Sequence, residues 1–224
     1  MGFYNFVKNK TMHFLSDILE NYIATHSEDE PELLQQLTRE THLKVIQPRM
    51  ITGHFQGRVL SMLSKIIAPR AILEIGTYTG YSALCLAEGL QKDGQLHTID
   101  VNEELHDMQR RYFDRSGFGP QIVQHTGNAL DIVPHLDIVF DLVFIDAEKV
   151  SYDFYFEAVL QKTRPGSIIL SDNVLWSGKV VEPLHPKDKA TKTLLGYNIK
   201  LKEDPRVETV LLPIRDGLTL SRVL

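Results

Sequence analysis

Cysteine is nearly missing from this chain of 224 residues, where Cys85 stands alone inside an apolar stretch. One thiol excludes a disulfide framework and a thiolate zinc site, and it fits a reduced, cytoplasmic setting. Long apolar runs are missing too, so no segment reads as a membrane span. Met1 to Lys10 holds no apolar stretch followed by a small-residue cleavage site, and no signal peptide is expected there. Positive charge is not in excess: 24 Lys and Arg stand against 29 Asp and Glu, a formal charge of -5. Gripping a phosphate backbone without regard to sequence needs clustered cations that release counterions, so a nucleic-acid partner is not expected and small molecules are better candidates. The nine histidines include no pair spaced as His-x-x-x-His, which leaves out a helix-borne zinc site. No serine has the Gly-x-Ser-x-Gly setting of a hydrolase nucleophile.

What is present is an ordinary globular composition, 43% hydrophobic and 24% charged, which argues against disorder. The length suffices for one domain over residues 1–224 with a core that needs no staples, and residues 1–45 read as an N-terminal helical extension. Helical spacing recurs from Asn9 to Ala24 (Met12, Leu15, Ile18, Leu19, Tyr22, Ile23) and predicts a helix. A second helix is expected from Glu32 to Thr41 behind Pro31, and a third from Thr52 to Ile67 with Phe55, Val59, Leu60, Leu63 and Ile66 or Ile67 on its apolar face.

After Pro69 the pattern changes. Strands are expected at Ala71 to Ile75, Gln95 to Ile99, Gln121 to Gln124, Asp141 to Ile145 and Ser167 to Leu170, with helices at Ser82 to Leu90, Glu103 to Ser116 and Tyr152 to Lys162. Such alternation implies a doubly wound α/β fold, a parallel sheet covered by helices on both faces. Val207 to Leu212 and Leu218 to Val223 are joined only by Pro213-Ile-Arg-Asp-Gly217, too short for a crossover helix, and must pair as an antiparallel hairpin.

Two groups of residues carry chemistry. The first is Glu74-Ile-Gly76-Thr-Tyr78-Thr-Gly80-Tyr-Ser82, placed between a strand and its helix, where glycines let backbone approach a ligand closely. Its spacing is not the Gly-x-Gly-x-x-Gly that cradles a pyrophosphate. Asp100, ending the next strand, can accept from both ribose hydroxyls. Glu74 adds a second carboxylate that repels phosphates and suits a ligand with ammonium and sulfonium charges, as S-adenosylmethionine has. A glycine pair alone would be as well explained by a tight turn, but together with Glu74 and Asp100 it favours the cofactor.

The second group is Asp141-Leu-Val-Phe-Ile-Asp146-Ala-Glu-Lys149 with Ser167-Ile-Ile-Leu-Ser-Asp172-Asn173. Each is an apolar strand ending in an acid, so Asp146 and Asp172 should leave neighbouring strands about 4.8 Å apart. Either acid alone is better read as a cap of the following turn. Side by side they repel unless a cation intervenes, and with Asn173 they offer the hard oxygens that Mg²⁺ prefers. Lys149, three residues past Asp146, reaches the same place and can take a proton from an acceptor hydroxyl, although a loop lysine by itself is usually solvated surface. Coordination would lower the pKa of that hydroxyl from the phenolic ~10, and the oxyanion would then attack the sulfonium methyl. Trp176 is either a wall of an aromatic acceptor pocket or a core residue.

From about Gln47 to the C-terminus these motifs, with Ser171-Asp-Asn-Val-Leu-Trp176 and Leu212-Pro-Ile-Arg-Asp-Gly-Leu-Thr-Leu220, resemble the metal-dependent class I O-methyltransferases that include the catechol and caffeoyl-CoA enzymes and their bacterial relatives. The resemblance implies a Rossmann-like seven-stranded, mostly parallel sheet with its last strand antiparallel, preceded by N-terminal helices. It implies that Asp146, Asp172 and Asn173 bind the metal and that Lys149 is the base. Glu74, Gly76, Tyr78, Ser82, Asp100, Ala129 and Asp146 would surround S-adenosylmethionine, with Asp100 on the ribose and Ala129 near the adenine. Met50 and Thr52 would close over its methionine end. A homodimer and a small aromatic hydroxyl acceptor are further implications. The sequence departs from the family in Glu148, where many relatives have Asp; the opening helices to about Val45 and the loop from Val181 to Leu195 match no acceptor-specific motif.

Three other readings are weaker. An NAD-dependent oxidoreductase would share the glycine turn and ribose acid but would leave Asp146, Asp172 and Asn173 unexplained. A non-catalytic S-adenosylmethionine-binding module has no need of a base beside a metal. A nucleic-acid methyltransferase would be expected to show a basic face or a base-stacking Pro-Pro-Tyr loop, where this chain has Ile145-Asp-Ala-Glu148.

Overall fold

The computed structural model describes residues 16–224. The stretch Met1 to Lys10 and the first part of the expected opening helix, with Met12 and Leu15, lie outside these residues. Helix α1 (Asp17–Thr25) is capped by Ser16, whose hydroxyl accepts from the Leu19 N–H. Its Ile18, Leu19 and Tyr22 are exposed, so the apolar face expected of this helix covers no core. Helix α2 (Glu32–Lys44) begins directly after Pro31 and buries Leu34, Leu37 and Thr41.

Helix α3 (His54–Ile67) packs Val59, Leu60, Leu63 and Ile67 of its expected apolar face on the core, and buries small and polar residues beside them. Gln56, Gly57, Leu60, Ser61 and Ser64 are buried, while Ile66 is exposed. The reason is close approach to α4 (Tyr81–Ala87): a Cβ on Gly57 would lie 2.6 Å from the Tyr81 ring and 2.9 Å from Cys85 Sγ. Ser64 Oγ donates to the Leu86 carbonyl at 2.6 Å across the same contact. Small side chains let the two helices touch at a separation that Leu or Phe would prevent.

The sheet comprises β1 (Ala71–Ile75), β2 (Gln95–Asp100), β3 (Ile122–Thr126), β4 (Leu142–Ile145), β5 (Ile168–Asp172), β6 (Val207–Leu212) and β7 (Leu218–Val223). Their order is β3-β2-β1-β4-β5-β7-β6. Neighbours among β1 to β5 are parallel, and β7 runs antiparallel to both β5 and β6, as the hairpin reading required. The expected helix Glu103 to Ser116 is a 3-10 turn leading into α5 (His106–Arg115). The short α6 (Ala129–Ile132) and α7 (Tyr152–Leu160) follow.

The segment Val181 to Leu195, expected as a loop, is a loop only in its first part. From Lys189 it belongs to α8 (Lys189–Glu203), started by Asp188, whose carboxylate accepts from the Thr191 N–H at 3.0 Å. Its buried face is Thr191, Leu194, Tyr197 and Leu201. That face has helical spacing, but Gly196 and the polar Thr and Tyr dilute the apolar signal.

Helices α2 to α5 cover one side of the sheet around Leu34, Leu60, Phe113, Phe144 and Leu170. Helices α6 to α8 cover the other around Val143, Ile145, Phe156, Ile169 and Tyr197. Strands buried on both faces read as unbroken apolar runs, which is why Leu142-Val-Phe-Ile145 shows no alternation. Strand order reverses between β1 and β4, so the crevice beyond their carboxyl ends is the place where this architecture binds ligands. Phe144, fully buried in β4 beside Glu74 of β1, tests this two-sided packing. Phe144→Ala should cost about 3–5 kcal/mol, read as a lower urea midpoint; a loss under ~1 kcal/mol would contradict it.

Candidate active site at the carboxyl ends of the strands

Parallel register makes the strand ends level. Ile75 pairs with Ile99 and Ile145, and Ile145 with Ser171, so Gly76, Asp100, Asp146 and Asp172 follow in one row. The expectation that Asp146 and Asp172 leave adjacent strands therefore holds. The turn after β1 is packed against the end of β4: a Cβ on Gly76, whose φ is +103°, would lie 2.0 Å from the Asp146 carbonyl oxygen. Only glycine fits there.

Asp100 ties this turn to β2. Its carboxylate accepts from the Tyr78 N–H at 2.7 Å and from the Asn102 N–H at 2.9 Å. Ala129 lies at the start of α6, nearly buried, next to a turn in which the Gly127 N–H donates to the Asp100 carbonyl at 2.8 Å. Ser82 is buried in the first turn of α4. Glu74 is fully buried; Thr98 Oγ1 donates to its Oε2 at 2.5 Å, while Oε1 has no partner. Burial, reinforced by the Asp146 and Asp100 charges and only partly offset by the Ser82 and Thr98 hydroxyls, raises its carboxyl to about 8. Thr52 is buried, whereas Met50 is exposed at the end of a 3-10 turn.

At the second group, Lys149 is buried and its Nζ donates to Asp146 Oδ1 at 3.0 Å. Asp172 is buried as well, and its Oδ1 accepts from the Asn173 N–H at 2.8 Å. Burial first, then the Asp146 charge, pushes the Asp172 carboxyl well above the usual range, against the pull of Lys149, Gln56 and the Asn173 amide. Asn173 holds a left-handed backbone, φ 58°. Among the described residues no three His, Cys, Asp or Glu side chains form a metal-holding group. The carboxylates next to Lys149 are those of Asp146 and Asp172. Trp176 is half-buried against the core, its Nε1 has no partner, and Lys179 Nζ stands 5.8 Å from its ring centroid.

The sequence reading overlooked four residues here. Tyr152, fully buried, accepts from Lys149 Nζ at 2.5 Å and donates to the Asp172 carbonyl at 2.8 Å. Its position one helical turn past Lys149 was the available signal. Gln56, hidden in α3, faces Asp172 and, at 3.4 Å, accepts from Arg215. Arg215 and Asp216 belong to the turn between β6 and β7, a stretch that shares in the family resemblance but in which no residue was given a role in the site. Asp216 Oδ1 accepts from the Ser177 N–H at 2.5 Å, and burial raises its carboxyl while the Lys149 and Arg215 charges oppose the shift. A cavity of about 460 Å³ lined by Arg70, Asp141 and Arg164 lies at the opposite ends of the strands and holds none of the candidate residues.

Comparison with known proteins points to one family. Residues 24–224 match the family model described as O-methyltransferase. The chain is 35% identical to a caffeoyl-CoA O-methyltransferase of Petroselinum crispum, over 92% of this chain and 91% of that one. It is 37% identical to caffeoyl-CoA O-methyltransferase 2 of Zea mays, over 92% and 83% respectively. Among solved structures, the O-methyltransferase TomG of Streptomyces achromogenes, involved in tomaymycin synthesis and in complex with SAM, superposes with a TM-score of 0.84 at 32% identity, covering 92% of this chain and 96% of that one. An O-methyltransferase of Bacillus cereus in complex with SAH superposes at 0.85 with 28% identity, covering 92% and 97%.

The Glu74 shift has a consequence for stability. A carboxyl raised above its unfolded value holds its proton more tightly in the folded state, so stability is greatest below the ordinary value of 4.5 and falls as pH climbs towards about 8. Asp172 acts in the same direction. Glu74→Gln should therefore flatten, without abolishing, the decline of the ligand-free melting temperature across that window. An unchanged decline would remove Glu74 as a source.

Proposed function

Because the chain belongs to the O-methyltransferase family and is an S-adenosylmethionine-dependent enzyme of its catechol and caffeoyl-CoA type, we propose that it methylates one hydroxyl of a small catechol-like or caffeoyl-type aromatic acceptor beside a bound divalent cation. The observation that carries this reading is the convergence of Asp146, Asp172 and Lys149 next to the Gly76 turn. One catalytic domain is part of it, supported by the gathering of all seven strands into one sheet. The resemblance extends the reading to a homodimer in the cytoplasm; no helix among the described residues is long and apolar enough to cross a membrane.

For the cofactor, the fit rests on the unpartnered Glu74 Oε1 and the fixed Asp100 carboxylate. A buried acceptor without a partner calls for a donor, and the cofactor has an ammonium group and ribose hydroxyls to give. Gly76, Tyr78, Ser82 and Ala129 would line the same crevice, with Thr52 and Met50 at its methionine end. For the metal, the fit rests on two neighbouring carboxyls, one of them held above its usual range by the other's charge and by burial. Asp146, Asp172 and the Asn173 amide would hold Mg²⁺ through three oxygens and leave room for water and acceptor.

When bound, S-adenosylmethionine supplies an electrophilic methyl group and the cation supplies positive charge that acidifies an acceptor hydroxyl. The remaining work belongs to the chain. Lys149 accepts the hydroxyl proton at Nζ, leaving an oxyanion directed at the methyl carbon. The rigid strand ends fix the distance between the two reactants, and burial excludes water. Trp176 offers an aromatic wall to the acceptor.

S-adenosylmethionine should raise the melting temperature while NAD leaves it unchanged; the reverse order would favour the oxidoreductase reading. Methyl transfer to a panel of catechols and caffeoyl esters should disappear with excess chelator and return with Mg²⁺. Activity persisting under chelation would take the metal out of the reaction.

A further inference from the structure

We propose that Tyr152 is a positioning residue for the proton-accepting amine: its hydroxyl and the Asp146 carboxylate occupy two of the three free directions on Lys149 Nζ and so aim the third at the acceptor. The proposal rests on the reading of Lys149 as the base. It follows from the hydrogen-bond inventory of one phenol. A tyrosine hydroxyl has a single proton to give. That of Tyr152 goes to backbone carbonyls, 2.8 Å to Asp172 O with a second contact of 3.3 Å to Ile145 O. Towards Lys149, 2.5 Å away, the hydroxyl can then only accept.

The side-chain nitrogen of lysine is tetrahedral, with one bond to Cε and three directions left. One points to Asp146 Oδ1 at 3.0 Å and one to the Tyr152 hydroxyl. Both partners are acceptors, so both directions must carry hydrogen. Whatever the amine gains or loses in the reaction is therefore confined to the third direction: the lone pair before proton transfer, the new N–H after it. The anchor is as informative as the contact. Ile145 and Asp172 end β4 and β5, so the hydroxyl fixes Nζ relative to the same strand ends that carry Asp146 and Asp172. Without it, Nζ keeps its bond to Asp146 but is free to swing about it, and the lone pair loses its direction.

A purely structural role, satisfying two strand-end carbonyls, would lower stability and leave the kinetics of the folded enzyme unchanged. Tyr152→Phe separates the two because it keeps the ring and removes only the hydroxyl. It should reduce kcat by about 10- to 100-fold, the scale of loss from misplacing a reacting group by an ångström, with acceptor KM and S-adenosylmethionine Kd within about twofold of wild type. Unchanged kcat, or kcat falling only in proportion to the folded fraction, would overturn the proposal. The second readout does not need an acceptor. Peptide-resolved labelling with trinitrobenzenesulfonate should modify Lys149 several-fold faster in the variant, and equal rates would overturn the proposal even if the wild type methylates the whole panel. Faster labelling in the variant beside a wild type inert towards every acceptor would instead strike the functional reading and leave the positioning intact. Should Tyr152→Phe not fold, Tyr152→Met, a flexible filler of the same space, is expected to give the same split.

Discussion

Crowding of like charge at one edge of a parallel sheet is the constraint around which this molecule is arranged. Asp100 and Asp172 end strands, Glu74 is the last but one residue of its strand, Asp146 follows one, and Asp216 sits in the turn between the last two. In-register pairing of β1, β2, β4 and β5 leaves these carboxyls no freedom to move apart. Burial adds to the difficulty, because a carboxylate removed from water is costly unless paired or hydrogen-bonded. Lys149 and the amides of Tyr78, Asn102, Asn173 and Ser177 offset part of the cost. The remainder appears in the raised carboxyls of Glu74 and Asp172.

Backbone strain gathers at the same edge. Tyr78, Asn173, Trp176, Ser177 and Arg215 all have positive φ without being glycine, a conformation that costs about 1–2 kcal/mol per residue. Each lies in a turn that closes on the crevice. Such strain persists only where surrounding structure imposes it, and here the two cores on either face of the sheet do so. The rigid centre and the strained rim are thus one design, with the apolar strands providing the stability that the polar turns consume.

Much of this was legible in the residues themselves. The run Leu142 to Ile145 ending at Asp146, and its counterpart ending at Asp172, announce strands and place their acids, since strand period and length are local properties. The hairpin was legible because its connection is too short for anything else. What escaped depended on packing. That α3 buries Gly57 and its serines beside the apolar residues was hidden, because the close approach of α4, not hydrophobicity, puts them inside. Helix α8 hid behind polar residues that become core only once Tyr197 finds Ser171, their hydroxyls 2.7 Å apart. Gln56, Arg215 and Asp216 are far in sequence from Asp146, Lys149 and Asp172 and meet them only after folding, so no spacing rule could have given them a role there.

The Asp100 carboxylate is gripped by two main-chain amides, one on each oxygen. A side chain held at both oxygens cannot rotate to look for a sugar, so in its proposed role Asp100 would meet an arriving nucleoside with lone pairs already fixed in direction. Little ordering entropy would then be left to lose on docking, and selectivity would fall to shape: a ribose whose hydroxyls do not match that fixed orientation would find a carboxylate unable to turn towards it.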